Sequence, residues 1–410
     1  MKPKPTLSSC LLIAALAVGS AYGQDDLSST DSRYPALQEA VDTYYAQHQA
    51  PDGFSAISVY VSPSAKSRGL FVTTGSQSFQ DGQPVRRDAL WAVGSITKSF
   101  TSVLILKLEA KGLLDIHDKL GKWLPQYPDW SSITIEQLLN MTAPIDDYFT
   151  DTKWAAEFAS NIHRTWTPAE QVSFVYPKFR NNVKTDPYYY INTNYVLAAM
   201  IIEKATCMER TGCMSYAEAL RKKLLEPLRL RQTYYQPRVP PDRVLDATVS
   251  GYFEAPCGFA DLPKPCPSTP LWALIHQDMK TTNLTASGAA GGIVMSLPDV
   301  ARWARALFSD TLLPPCQKAE LFSLVSEKTG KHIPTTSTAD RQGYALGVSQ
   351  SWDVKKATPL WWYQGESFGN TVMWGRIKGD DLIVVVAQNS VSDAGQIFPL
   401  YPPVLDVLEP

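Results

Sequence analysis

The chain has 410 residues, 44% hydrophobic and 19% charged, with a formal net charge of −2. A sizeable core can therefore form, global disorder is excluded, and the length suits one large domain or two intimate ones. Lysines and arginines are scattered, with no basic stripe to offer a nucleic acid.

Residues 1–23 read as a separate unit. Lys2 and Lys4 precede the short apolar run Leu11–Val18, and Ala21-Tyr22-Gly23 puts small residues at −3 and −1 before Gln24. This is the pattern of a secretory signal peptide. The run is too short to span a bilayer comfortably. Export to the periplasm or beyond the cell is expected, with no stable membrane insertion once the segment is removed.

Residues 35–48 place Leu37, Val41 and Tyr44 at helical spacing, which predicts an amphipathic helix. Ala56–Val61 and Gly69–Thr74 read as strands across a Ser/Pro/Gly turn. Ser95–Ala110 predicts a long helix of little polarity. Helical patterns dominate 111–284, broken by proline-rich loops such as 236–244. Ser296–Phe308 predicts a further helix, with Ser296 as cap and Asp299 three residues on. Two apolar strands, Thr371–Ile377 and Leu382–Gln388, flank the turn at 378–381. Strands near both ends and helices between them predict an α+β fold. A mostly antiparallel sheet is expected from 24–90 and 285–410, flanked by helices. A mainly helical domain, 91–284, is inserted, with the active site between the two.

Export permits disulfides. Cys207 with Cys213 and Cys257 with Cys266 predict two small loop staples, leaving Cys316 over. No CxxC or histidine cluster accompanies them, so no metal is expected. Sequons stand at Asn140 and Asn283. Asn140 falls at a predicted helix end, a poor acceptor position.

Lys98 raises a sharper question. Positions 94, 95, 101 and 102 are Gly, Ser, Thr and Ser, so no salt bridge forms at helical spacing. Residues i and i+3 share a face, which brings the ammonium to the Ser95 hydroxyl. Ser95 follows Gly94 at a helix start, where backbone N–H groups are unpaired. A lysine desolvated there has a depressed pKa and can take the serine proton, making a nucleophile.

The segment VRRDALWAVGSITKSFTSVLILKLEAKGLLDIHDKLGKWLP (85–125) resembles the active-site helix of the serine β-lactamase and penicillin-binding protein family. It is most similar to class C β-lactamases, D-aminopeptidases, DD-carboxypeptidases and their esterase relatives. ITIEQLLNMTAPIDDY, YYYINTNYVLAAMIIEKA, ASGAAGGIVMSLPDVARWARALF and YALGVS resemble later landmarks in the family's order. The similarity runs from about residue 40 to 390.

The resemblance implies a β-lactamase/DD-peptidase-like fold and an acyl-enzyme without metal or organic cofactor. Ser95 would be acylated and Lys98 would shuttle its proton. Tyr190 would be the general base, its phenolate favoured by lysine charge. Asn192 would bond substrate and lysine. The N–H groups of Ser95 and Glu366 would form an oxyanion hole. The family's third element is Lys-Thr-Gly or His-x-Gly. A literal Lys328-Thr329-Gly330 ends a helical pattern, where Gly330 suits a C-terminal cap, and it precedes YALGVS. The fitting position is Tyr363-Gln364-Gly365, with Gly369 four residues later. Tyrosine there replaces a cation that attracts substrate carboxylates, and Arg376 is a candidate to restore the charge. Gly365–Gly369 also spells GxSxG. That motif needs a following helix and a later histidine, but strands follow and His332 is the last histidine.

An exported serine hydrolase acting on a small ester or amide, or transferring its acyl group, is therefore expected. A D-amino-acid peptidase, DD-carboxypeptidase or β-lactamase is a second reading. A retired member that only binds peptide or peptidoglycan is a third.

Overall fold

The computed structural model describes residues 31–64, 69–181, 183–210, 212–235, 242–254, 269–377, 382–392 and 398–408. The leader, the Cys257/Cys266 pair and the turn at 378–381 lie outside them.

A helix, α1 (Tyr34–Asp52), precedes two strands, β1 (Ala56–Ser62) and β2 (Leu70–Gly75). Helix α2 (Ile96–Glu109) follows a short strand, Leu90–Ala92. The middle of the chain carries α3 (Asn192–Thr206) among shorter helices, and α4 (Leu297–Phe308) closes it. Then come β3 (Leu324–Ser326), β4 (His332–Ile333), β5 (Gln342–Tyr344), β6 (Ser349–Asp353), β7 (Thr358–Glu366), β8 (Thr371–Ile377), β9 (Leu382–Gln388) and helix α5 (Tyr401–Leu408).

Nine strands form one antiparallel sheet in the order β2-β1-β9-β8-β7-β6-β5-β3-β4. Strands from the two ends of the chain pair near one edge of the sheet, where Val59 of β1 stands opposite Val386 of β9. Every residue of β9 is buried. The reason is that both sheet faces are covered. Val384 and Val386 pack with Leu37 and Val41 of α1 and Val404 of α5. Ile383, Val385 and Ala387 face the core holding α2 and α4. Strand alternation is lost when neither face meets water.

Helix α2 is buried from Ile96 through Leu106. A helix apolar all round belongs in an interior. Phe100 stacks on Trp303 of α4 with ring centroids 3.7 Å apart, and the Trp303 indole donates to Ser99 Oγ at 2.8 Å. Ser296 caps α4, accepting from the Asp299 N–H at 3.4 Å.

The α+β architecture is as the pattern predicts, but several local details differ. The helix expected up to Gly330 stops at Leu321, and β3 and β4 follow. Gly330 instead sits in the β3–β4 turn at φ +63°. The helical middle also contains strands. Thr233–Tyr235 pairs with Ile293–Ser296, and Tyr252–Glu254 runs parallel to Ser390–Ser392. Asn140 ends the helix Ile135–Leu139 and is 3% exposed. Cys207 and Cys213 form a disulfide after α3. Among the described residues, no helix is long and apolar enough to cross a membrane.

Candidate active site

The site begins with a backbone contact. Gly94 turns the chain into α2 at φ +46°. A Cβ on Gly94 would stand 2.0 Å from the Glu366 carbonyl oxygen. A Cβ on Gly365 would stand 2.0 Å from the Val93 carbonyl and 2.8 Å from the Ser95 nitrogen. Only glycine at both positions lets the end of β7 lie against the start of α2. The N–H groups of Ser95 and Glu366 are thereby brought to one place.

Ser95 occupies the N-cap of α2, yet its side chain makes no capping bond. It turns inward instead, where the Lys98 ammonium donates to Ser95 Oγ at 2.9 Å, to Asn192 Oδ1 at 2.7 Å and to the Ala290 carbonyl at 2.9 Å. Lys98 is 0% exposed. Loss of water lowers its pKa to about 7, with the Asp147 carboxylate pulling the other way.

Asn192 is the first residue of α3, and Asp147 holds it. One carboxylate oxygen of Asp147 accepts from the Asn192 backbone N–H at 2.9 Å and its side-chain amide at 2.8 Å. With the amide nitrogen so engaged, Oδ1 must face Lys98. The same carboxylate caps the positive end of α3 from outside the helix. Burial raises the Asp147 pKa, offset by hydrogen bonds from the Asn192 and Phe149 backbones.

Tyr190 arrives on an extended segment fixed against Met141: Tyr189 N–H donates to the Met141 carbonyl at 3.2 Å, and Ile191 N–H meets its sulfur at 3.3 Å. The Tyr190 hydroxyl bonds Ser95 and Tyr363, the latter at 3.0 Å. Its ring faces the Lys98 ammonium at 4.7 Å. Burial pushes the Tyr190 phenol well above its ordinary range, and the two hydroxyl bonds pull it back only in part. Burial thus works against the expected phenolate.

The Tyr363-Gln364-Gly365 stretch divides along the strand. Gly365 supplies the close approach. Gln364 points the other way and donates to the Glu366 carboxylate at 2.8 Å. The third-motif position predicts a substrate contact for Tyr363, but it is only 3% exposed, behind Tyr190. Arg376 stands over the Phe308 ring at 4.3 Å, opposite Trp361 in the β7–β8 register, and not beside Gly365. Ser367 is 3% exposed and strand β8 follows it, so no nucleophile elbow forms. Asp147, Tyr344 and the Ala290 carbonyl escaped the sequence reading. Only the quoted IDDY and YALGVS segments hinted at the first two.

The beta-lactamase family matches residues 38–399. The chain belongs to the beta-lactamase family. Penicillin-binding protein 4* of Bacillus subtilis (strain 168) is 29% identical over 268 residues, which are 63% of this chain and 54% of that protein. The chain thus spans about half the length of the curated relatives it matches. Among solved structures, a D-stereospecific amidohydrolase from Streptomyces sp. is 25% identical with a TM-score of 0.68, covering 91% of this chain and 97% of that one. The D-amino acid amidase of Ochrobactrum anthropi SV3, complexed with D-phenylalanine, is 20% identical with a TM-score of 0.71, covering 92% of this chain and 99% of that one, and shares the fold.

Proposed function

We propose that this beta-lactamase family chain is an exported serine hydrolase that forms an acyl-enzyme on Ser95. The observation that carries the proposal is the Lys98 nitrogen, fully buried, 2.9 Å from the Ser95 hydroxyl and shifted to a pKa of about 7. A buried lysine beside a serine, half deprotonated near neutrality, is a proton acceptor in place.

Ser95 Oγ attacks the acyl carbon as its proton passes to the neutral Lys98 amine. The N–H groups of Ser95 and Glu366 hold the oxyanion. On collapse, the bond to the leaving group breaks, and that group takes the Tyr190 proton. The acyl-enzyme then holds an ammonium on Lys98 and a phenolate on Tyr190, attracted within one water-poor pocket. Water next gives a proton to the Tyr190 phenolate and attacks the acyl carbon. Ser95 leaves with the proton of Lys98, and both groups are neutral again. Asn192 orients Lys98 and offers its amide edge to substrate.

Tyr363 in place of a cation favours a neutral ester or amide over a carboxylate-bearing β-lactam or D-alanyl peptide. A D-amino-acid amide is the second reading, favoured by the D-stereospecific amidohydrolase likeness over 91% of the chain. The test is a fluorophosphonate probe with p-nitrophenyl esters, D-phenylalanine amide and nitrocefin. Labelling and ester turnover are expected, both abolished in Ser95→Ala. A stoichiometric burst without turnover would instead indicate a binding protein, and undiminished labelling of Ser95→Ala would end the assignment.

A further inference from the structure

The phenol of Tyr190 does not stand alone. Its oxygen lies 3.0 Å from the Tyr363 hydroxyl, which lies 2.9 Å from the Tyr344 hydroxyl. Tyr344 reaches Tyr195 in turn, and the Tyr195 hydroxyl donates to the Leu139 carbonyl at 2.7 Å. Tyr344 and Tyr363 are 1% and 3% exposed, so neither presents a surface on which substrate could bind. They come from β5 and β7, on either side of β6, and converge on a residue that precedes α3.

We propose that Tyr363 and Tyr344 form a hydroxyl relay that steadies the Tyr190 oxygen as the phenol gives its proton to the leaving group and becomes a phenolate. The inference rests on the acyl-enzyme function above. Each phenol carries one hydroxyl proton. That of Tyr195 is engaged by Leu139. The protons of Tyr363 and Tyr344 are then the two that turn toward Tyr190 when it becomes an anion. Tyr363 donates to the Tyr190 oxygen, and Tyr344 donates to Tyr363. No bond to hydrogen breaks in the relay itself. The proton that moves is that of Tyr190, which ends on the departing oxygen or nitrogen. The electrostatics run the same way: the bond from Tyr363 makes Tyr190 easier to ionise, and the bond from Tyr344 does the same for Tyr363. Hydrogen bonds to charged acceptors are the strong ones, and a chain of them strengthens each member. Two buried neutral phenols thus supply donors to the developing anion without placing a second positive charge beside Lys98.

Both tyrosines are positioning residues, and leaving-group dependence separates this role from packing. p-Nitrophenolate departs as an anion, whereas ethoxide must take a proton. kcat/KM is measured for p-nitrophenyl butyrate and ethyl butyrate, which share an acyl group. Tyr363→Phe should lower the ethyl ester value roughly 10- to 100-fold, with a much smaller loss on the p-nitrophenyl ester. Tyr344→Phe should show the same bias more weakly, and its effect should vanish in the Tyr363→Phe background. Equal losses on both esters, or a Tyr344→Phe cost undiminished in the double variant, would overturn the relay. The ratio of the two esters is read on one sample, so partial misfolding cancels. Failure of the underlying function is a different result: Ser95→Ala would retain turnover of both esters.

Discussion

Replacing Asp147 by asparagine tests whether a carboxylate remote from substrate sets the protonation of Lys98, the proposed proton acceptor. Asp147 accepts from both nitrogens of Asn192, and Asn192 Oδ1 accepts from Lys98 at 2.7 Å. The carboxylate and the ammonium are therefore one amide apart. Opposite charges at about 6 Å in an effective dielectric of about 20 attract by about 2–3 kcal/mol. Partial solvent access to the pocket trims this, so removal of the anion should lower the Lys98 pKa by roughly one to two units. The sign follows directly. Lys98 accepts the serine proton only when neutral, so kcat/KM falls as pH drops through its pKa of about 7. Asp147→Asn makes the neutral form easier to reach, and the acid limb should move to lower pH. The plateau should fall as well, by roughly tenfold or more, because asparagine sets an NH2 against the Phe149 N–H that now donates to the second carboxylate oxygen at 3.2 Å, and the bridging amide shifts with it. A pH–rate profile of kcat/KM on a neutral ester reads both effects. An acid limb that stays put or moves to higher pH would refute the electrostatic link between Asp147 and Lys98.

Three further outcomes follow from other contacts. Lys98 is neutralised by burial, with its pKa near 7 when folded against about 10.4 when unfolded. The unfolded chain binds the extra proton between those values, so this group adds stability as pH rises from 7 to 10.4. Urea melts of wild type against Lys98→Met should diverge in favour of wild type by up to about 1.4 kcal/mol per pH unit across that window, and parallel curves would contradict the burial. Gly365→Ala puts a Cβ 2.0 Å from the Val93 carbonyl, which must part β7 from α2; kcat should fall by about 10²–10³ with a much smaller change in KM, measured by steady-state kinetics. Trp303→Ala removes the 3.7 Å stack on Phe100 and the bond to Ser99 and should cost about 3–5 kcal/mol in denaturant melts.

Much of the fold was legible because its rules are local. The terminal strands announced themselves as apolar runs between turns, and α2 as an apolar helix with a serine at its start. Where the reading missed, two periods competed. Leu321, Leu324 and Val325 fall at helical spacing, which predicts helix to Gly330, yet the chain turns into a β3–β4 hairpin. Short apolar segments satisfy either period, and the sheet edge they join decides. The same limit applies to the site. Ser95 with Lys98 and Tyr190 with Asn192 are visible as spacings of three and two. Asp147 meets Asn192 from 45 residues away, and the IDDY segment that carries it gives no sign of that partner. The Gly94–Gly365 contact spans the chain from α2 to β7, so the need for glycine exists only once the two backbones meet. Tyr363 looked like a substrate contact from its place in the third motif, and only packing reveals that Tyr190 covers it.

One physical cause sets the behaviour of both proton carriers. Removing water disfavours charge of either sign, so the same pocket lowers the lysine and raises the tyrosine. Near neutrality the site is therefore expected to hold a neutral phenol beside an amine poised between its two forms, and the phenolate forms only opposite an ammonium. An isolated ion in that pocket would be costly, but an ammonium facing a phenolate ring across 4.7 Å recovers part of the cost by attraction, and the tyrosine hydroxyls supply donors to the anion. This order of events limits the pH profile. Lys98 should impose an acid limb near 7, whereas Tyr190 should impose no basic limb within the range where the protein stays folded. If Tyr190 were instead ionised at rest, a limb reporting its reprotonation would lie below the ordinary tyrosine range, and ultraviolet difference spectra of wild type against Tyr190→Phe at pH 8 would carry a tyrosinate band. Its absence is expected, with the phenol protonated until a leaving group takes its proton.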